Sequence, residues 1–143
     1  MTDDSARTLE SLGAQTYVSL VTYRADGSER PTPVWLVRDG DVLRVTTGAT
    51  SAKVRRARRD PRATVTPCDA RGRLEDGAAT TSVAVEVSDD AAEVRRTNEL
   101  LRRKHPVAHR LVSAAHAVAE RVPGRSGGGA QVTLLLRPLP AHR

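Results

Sequence analysis

Two Asp-Gly dipeptides, Asp26-Gly27 and Asp39-Gly40, lie between β-branched or aliphatic runs and constrain this chain more than any other feature. Asp-Gly tolerates the left-handed backbone of a tight hairpin, so each dipeptide predicts a reversal between antiparallel strands. The flanking runs, Tyr17–Tyr23, Thr32–Val37 and Val42–Thr47, suggest a three-stranded antiparallel meander. Pro31 and Pro33 remove two N–H donors from the second run, which points to an edge strand or an opening in the ladder. Further strands are expected at Ala63–Pro67, Ser82–Val87 and Gln131–Leu136. Helices are expected over 5–15, docked by Leu9 and Leu12, over a short basic segment at 53–59, and from Asp90 to about Lys104, where Asp90 and Glu93 have capping-box spacing. Pro106 restarts a helix with Val107, Leu111, Ala115, Val118 and Val122 on its apolar face, and a Gly-rich loop follows at 124–129. Short strands joined mostly by hairpins, with helices set apart, indicate an α+β, mainly β, antiparallel barrel rather than βαβ winding.

A chain of 143 residues is expected to form a single domain, 1–143. It has no Phe, one Trp and two Tyr, so its core must be built from Val, Leu and Ala. Small aliphatics bury less surface per residue than aromatics do, and association through an apolar sheet face would help such a fold. A homodimer is therefore expected. The single Cys cannot form an intramolecular disulfide. The first twenty residues hold no apolar run of signal-peptide length, and no stretch is long enough to span a bilayer, so a cytoplasmic protein without a membrane partner is expected.

The net charge of +6 is concentrated, with Lys53, Arg55, Arg56, Arg58, Arg59 and Arg62 set against Asp60 alone. Such a patch attracts polyanions, and a nucleic-acid-binding module is one reading of it. The near absence of aromatic stacking platforms argues against that partner, as does the short helix, which must give one face to the core. A local anion site is the sharper reading. Thr46-Thr47-Gly48 ends a strand, Thr50 or Ser51 can cap the following helix, and Lys53 falls in its first turn. Free N–H groups, a hydroxyl and a nearby ammonium suit a phosphate. Beside them lies a β-surface with one Trp and little other bulk, so the implied ligand is long and planar with a phosphate at one end, a flavin-like shape. Gly48 would let a ring approach the backbone closely.

On the helical wheel Val54 and Ala57 face the core, Lys53 and Arg56 share a flank, and Arg55 and Arg59 point to solvent. Arg56 suits either a solvated surface position or a contact with the same phosphate. Trp35 suits a core position or a cofactor wall. Cys68, with no base nearby in sequence, reads as an unreactive residue at a strand end. His105, His109 and His116 do not read as a metal site, because Pro106 breaks the helical register and no Cys or carboxylate completes a set. The Gly-rich loop lacks the Lys-Ser/Thr of a phosphate-binding P-loop, and no Rossmann or nucleophile-elbow fingerprint occurs.

Val34-Trp35, Thr47-Gly48, Lys53, the helix 54–59, Asp60-Pro61, Pro67-Cys68-Asp69 and Arg71-Gly72 together resemble the split β-barrel flavin and deazaflavin oxidoreductases, relatives of pyridoxamine phosphate oxidase. The branch that uses coenzyme F420 is the nearest, and residues 30–69 are the most specific part of the match. Lys53 after Thr-Ser resembles the Ser-Arg-Lys phosphate motif of the oxidase branch, but Ala52 stands where that motif has Arg, which favours F420 over FMN. The resemblance implies a homodimer of FMN-binding-type split barrels with the cofactor in a cleft at the subunit interface. Ser51, Lys53 and Arg56 would hold the phosphate end. Pro33, Val34, Trp35, Thr46, Thr47 and Gly48, with Pro67 and Cys68, would line the ring. The implied activity is hydride transfer between F420 and a small organic substrate. An FMN-dependent enzyme of the same fold and a non-catalytic cofactor carrier are the alternatives. No side chain stands out as a catalytic acid or base.

Overall fold

A computed structural model describes residues 2–105 and 130–140. In chain order the elements are α1 (Thr2–Gly13), β1 (Tyr17–Tyr23), β2 (Glu29–Trp35), β3 (Val37–Asp39), β4 (Val42–Gly48), α2 (Ala52–Arg59), β5 (Arg62–Cys68), β6 (Thr81–Ser88), α3 (Ala91–Lys104) and β7 (Gln131–Pro138). The helix expected from Pro106, His109, His116 and the Gly-rich loop fall outside the described residues.

Both Asp-Gly turns form. Gly27 and Gly40 have φ of 86° and 63°, a backbone that L side chains rarely adopt. Asp26 steadies the first turn by accepting from the Ser28 N–H at 2.9 Å and from its hydroxyl at 2.6 Å. The expected meander does not form, however. The run after Pro31 breaks at Leu36 into two strands, and the strands lie in the order β2-β1-β5-β6-β7-β4-β3, with every pairing antiparallel. β2 and β3 are separated in sequence by Leu36 alone, yet they occupy the two opposite edges of the sheet. A flat sheet cannot satisfy both conditions, so it must curl until its edges meet. That is the geometry of a split barrel.

Strand alternation sorts the side chains. Val18 and Leu20 of β1, Val34 of β2, Leu43 and Val45 of β4, Val65 of β5, Val83 and Val85 of β6, and Val132, Leu134 and Leu136 of β7 share one buried cluster. α1 adds Leu9 and Leu12, and α2 adds Val54 and Ala57, as the helical wheel requires. Leu36, at the junction of the two edges, is fully buried. The core is aliphatic, as the composition demands.

α3 packs on the other face of β4 and β7 and is tied there largely by polar groups. Arg44, 6% exposed, donates to Asp39 and Glu93 at 2.8 Å each. Arg96 also binds Asp39, at 2.6 Å, and Thr97 meets Thr133 at 2.6 Å. Asp90 caps α3 by accepting from the Ala92 N–H. The reciprocal half of the expected capping box is missing, because the Glu93 carboxylate is turned to Arg44 instead. Among the described residues no helix is long and apolar enough to cross a membrane.

Candidate functional site

α2 starts where β4 ends. Gly48 accepts from the Ser51 N–H at 3.1 Å, which turns the chain, and Ser51 becomes the residue preceding the helix. Its hydroxyl makes no capping bond to the helix and lies 3.4 Å from the Thr47 hydroxyl, at the outer limit of a hydrogen bond. Local sequence promised a cap. The structure has instead two hydroxyls that are not committed to the helix.

Lys53 is half-buried in the first turn. Burial, followed by the charge of Arg56 one turn on, holds its pKa below the ordinary lysine value. Among the described residues no carboxylate pairs with it. Arg56 is half-buried too, and its Nε donates to the Thr22 hydroxyl at 2.6 Å. Burial is the main cause that lowers its pKa, with the charges of Arg30, Arg24, Arg55 and Arg59 adding to it. Arg24 and Arg30 were not singled out from the sequence. The β1–β2 register brings them in, pairing Arg30 with Thr22, and only long-range strand pairing could have disclosed that. Arg55 and Arg59 are exposed as expected, donating to the Thr50 and Tyr23 carbonyls at 3.2 and 3.0 Å.

The other expected residues divide between faces. Val34 and Pro67 pair with Val18 and lie on the core side. Trp35 and Cys68 pair with Tyr17, and Pro33 pairs with Ser19, so these three share the opposite side. Trp35 is half-buried and belongs to no core cluster, which corrects the core alternative. Its indole lies 6.1 Å from the Tyr17 ring and 5.6 Å from the His105 ring. Pro33 sits beside Gly72 of the loop that follows β5. Cys68 is buried, and burial, with Asp69 and Glu75 nearby, raises its thiol pKa, in keeping with an unreactive residue.

Thr46 pairs with Thr133 beneath α3, away from Thr47, and its Oγ1 is buried without a partner among the described residues. Gly48 is exposed, and no atom of the described residues lies within 4 Å of where a Cβ would project, so packing among them does not require glycine there. Thr47, Ser51, Lys53 and Arg56 thus gather around α2. Pro33, Trp35 and Cys68 gather on the outer side of β2, β1 and β5. Among the described residues no group of His, Cys, Asp and Glu is placed to hold a metal ion.

Residues 4–125 match the family model described as pyridoxamine 5'-phosphate oxidase, most of the chain. The chain belongs to the pyridoxamine 5'-phosphate oxidase family. This family binds flavins and includes oxidoreductases. Solved structures agree on the fold. An F420 reductase is 21% identical with a TM-score of 0.60, over 92% of this chain and 93% of that one. HutZ, the heme storage protein of Vibrio cholerae, is 10% identical with a TM-score of 0.63, over 97% and 91%. A heme-binding protein of Mycobacterium smegmatis is 16% identical with a TM-score of 0.56, over 96% of this chain and 51% of that one. No curated protein matches the sequence significantly. At such identities the shared property is the split barrel itself.

Proposed function

We propose that this member of the family is an F420-dependent oxidoreductase that moves hydride between the deazaflavin and a small organic substrate. The observation that carries the reading is Lys53, an ammonium half-buried at a helix N-terminus without a carboxylate partner among the described residues. Desolvating a cation without pairing it is unfavourable, and an incoming phosphate would offset that cost. The Ser51 and Thr47 hydroxyls and the first N–H groups of α2 complete a donor set suited to a phosphate oxygen. Arg56 lies one turn further on, where it can meet the same phosphate or a second anionic group.

When bound, the cofactor supplies the redox chemistry, accepting or donating hydride at its ring. The chain's own part is to hold the phosphate, set the ring against the outer side of β2 and exclude water from one face of it. The homodimer expected from the resemblance would place the cleft between subunits. Ala52, standing where the oxidase motif has Arg, favours F420 over FMN. Fluorescence titration with both cofactors tests this directly. Tighter F420 binding is the expected result. Equal or tighter FMN binding would move the protein to the flavin branch, and binding of neither would remove the cofactor reading.

A further inference from the structure

His105 closes α3 with its imidazole 5.6 Å from the Trp35 indole, centre to centre, and inclined to it by 38°. Its Nε2 is buried and meets no hydrogen-bond partner among the described residues. An unmet buried ring nitrogen lowers stability, and packing against an indole does not call for one, since a phenyl ring fills much the same space. The helix end is pinned where it stands. Lys104 Nζ donates to the carbonyls of Gln15 and Leu36 at 2.5 and 2.9 Å, which fastens the last turn of α3 to the junction of the two sheet edges. Burial, then the Lys104 charge, lowers the His105 pKa below its ordinary value. That shift favours the neutral imidazole, in which one nitrogen is a donor and the other an acceptor.

We propose that His105 and Trp35 form the subsite for the heterocycle of the ligand, with Trp35 giving a stacking face and His105 Nε2 a hydrogen bond to a polar atom on the ring edge. The ligand class is a planar, nitrogen-containing heterocycle with carbonyl or N–H groups along one edge. This deepens the cofactor reading and rests on it for the identity of the ligand. The subsite is distinct from the phosphate cradle. Trp35 pairs with Tyr17 at one end of the β1–β2 ladder, whereas Arg56 bonds Thr22, which pairs with Arg30 near the other end. Trp35 and Arg30 stand five strand steps apart, roughly 17 Å. A ring without a phosphate can therefore probe the subsite alone.

The probe is lumiflavin, a flavin ring with no phosphate, used beside FMN and F420 on the wild type, His105→Phe, His105→Gln and Lys53→Ala. His105→Phe keeps the ring packed on Trp35 and deletes the unmet nitrogen, so its Tm should equal or exceed that of the wild type. Its affinity for lumiflavin should nonetheless fall about five- to tenfold, the usual worth of one hydrogen bond. His105→Gln, which restores a polar atom near the Nε2 position, should recover part of the loss. Lys53→Ala should leave lumiflavin binding unchanged while weakening FMN and F420. Unchanged affinity for lumiflavin, or for FMN where lumiflavin binds too weakly to measure, in His105→Phe overturns the subsite and leaves the cradle standing. A joint fall in Tm and affinity makes His105 a purely structural residue and overturns it too. Failure of the wild type to bind any of the three probes removes this subsite and the cofactor reading together. Loss of lumiflavin binding in His105→Phe, with FMN and F420 insensitive to Lys53→Ala, keeps the subsite and sinks the cradle.

Discussion

Lys53 and Arg59 stand six residues apart on one short helix, and their surroundings give them different expected roles. Lys53 is half-buried beside two uncommitted hydroxyls, whereas Arg59 is exposed and spends a donor on the Tyr23 carbonyl. Lys53→Ala is expected to weaken cofactor binding by about 1.5–3 kcal/mol, the range for a charge-assisted hydrogen bond. Arg59→Ala removes the same unit of charge but should alter binding only through weak steering that salt screens. Titrations of both variants at low and high salt settle the comparison. A wide gap that persists at high salt supports the cradle. Equal, modest losses abolished by salt reduce the patch to a diffuse attractor. Lys53 was legible in sequence because everything that sets its position is local, from the Thr47-Gly48 strand end to the helix start. Arg24, Arg30 and His105 were not, because their neighbours lie across strand pairings and a helix end that no short window contains.

The seam between α3 and the sheet shows how element-scale stability is built here. Arg44 is buried and binds two carboxylates, one from β3 and one from α3, so it links three elements at a single guanidinium. Removing it would leave Glu93 without its partner in the seam, while Asp39 would keep Arg96 alone. Arg44→Ala is expected to cost about 3 kcal/mol, read from urea unfolding, because it deletes a buried guanidinium that joins the elements and leaves Glu93 unpaired. Asp39 gives the pH dependence of the same seam. Hydrogen bonding by Arg96, opposed by burial and reinforced by Arg44, lowers its pKa from 3.8 to about 2. A carboxyl depressed on folding adds stability that is fully present above its unfolded value and fades as pH falls through the folded one. Asp39→Asn should therefore unfold more readily than the wild type at pH 5 and above, and the two should converge as pH approaches 2. A stability difference that does not change over that window would assign Asp39 a packing role alone. The two Asp-Gly turns and the strand and helix cores were readable from alternation and helical spacing. The break at Leu36 was not, since Val34-Trp35-Leu36-Val37 is an unbroken apolar run whose division comes from barrel closure.

The whole molecule is a sheet whose edges, β2 and β3, are neighbours in sequence, and that closure leaves distinct outer surfaces. The outer side of β2 carries Pro31 and Pro33, both exposed, and the half-buried Trp35. Among the described residues Leu74 and Leu139 are the large hydrophobics left most open, at 57% and 44% exposure. The described core holds no aromatic residue, so each open leucine is a sizeable share of the apolar surface available for burial. The split-barrel fold was legible once hairpin signals were combined with the local resemblance, whereas the partner surface was not, because a dimer is specified by shape rather than by spacing. Members of this family are often dimeric, and a homodimer that covers the outer β-surface is expected here. Light scattering across a sizing column reads the mass directly, and Leu74→Glu on the open loop supplies the contrast. If Leu74 lies within the contact, the charge should shift the wild-type dimer toward monomer without lowering the unfolding midpoint of the isolated barrel. If the wild type is a dimer and the variant remains one, the contact lies on another face. A wild-type protein that runs as a monodisperse monomer at micromolar concentration, with and without F420, would remove the interface cleft, and the Lys53 cradle would then have to act within a single subunit.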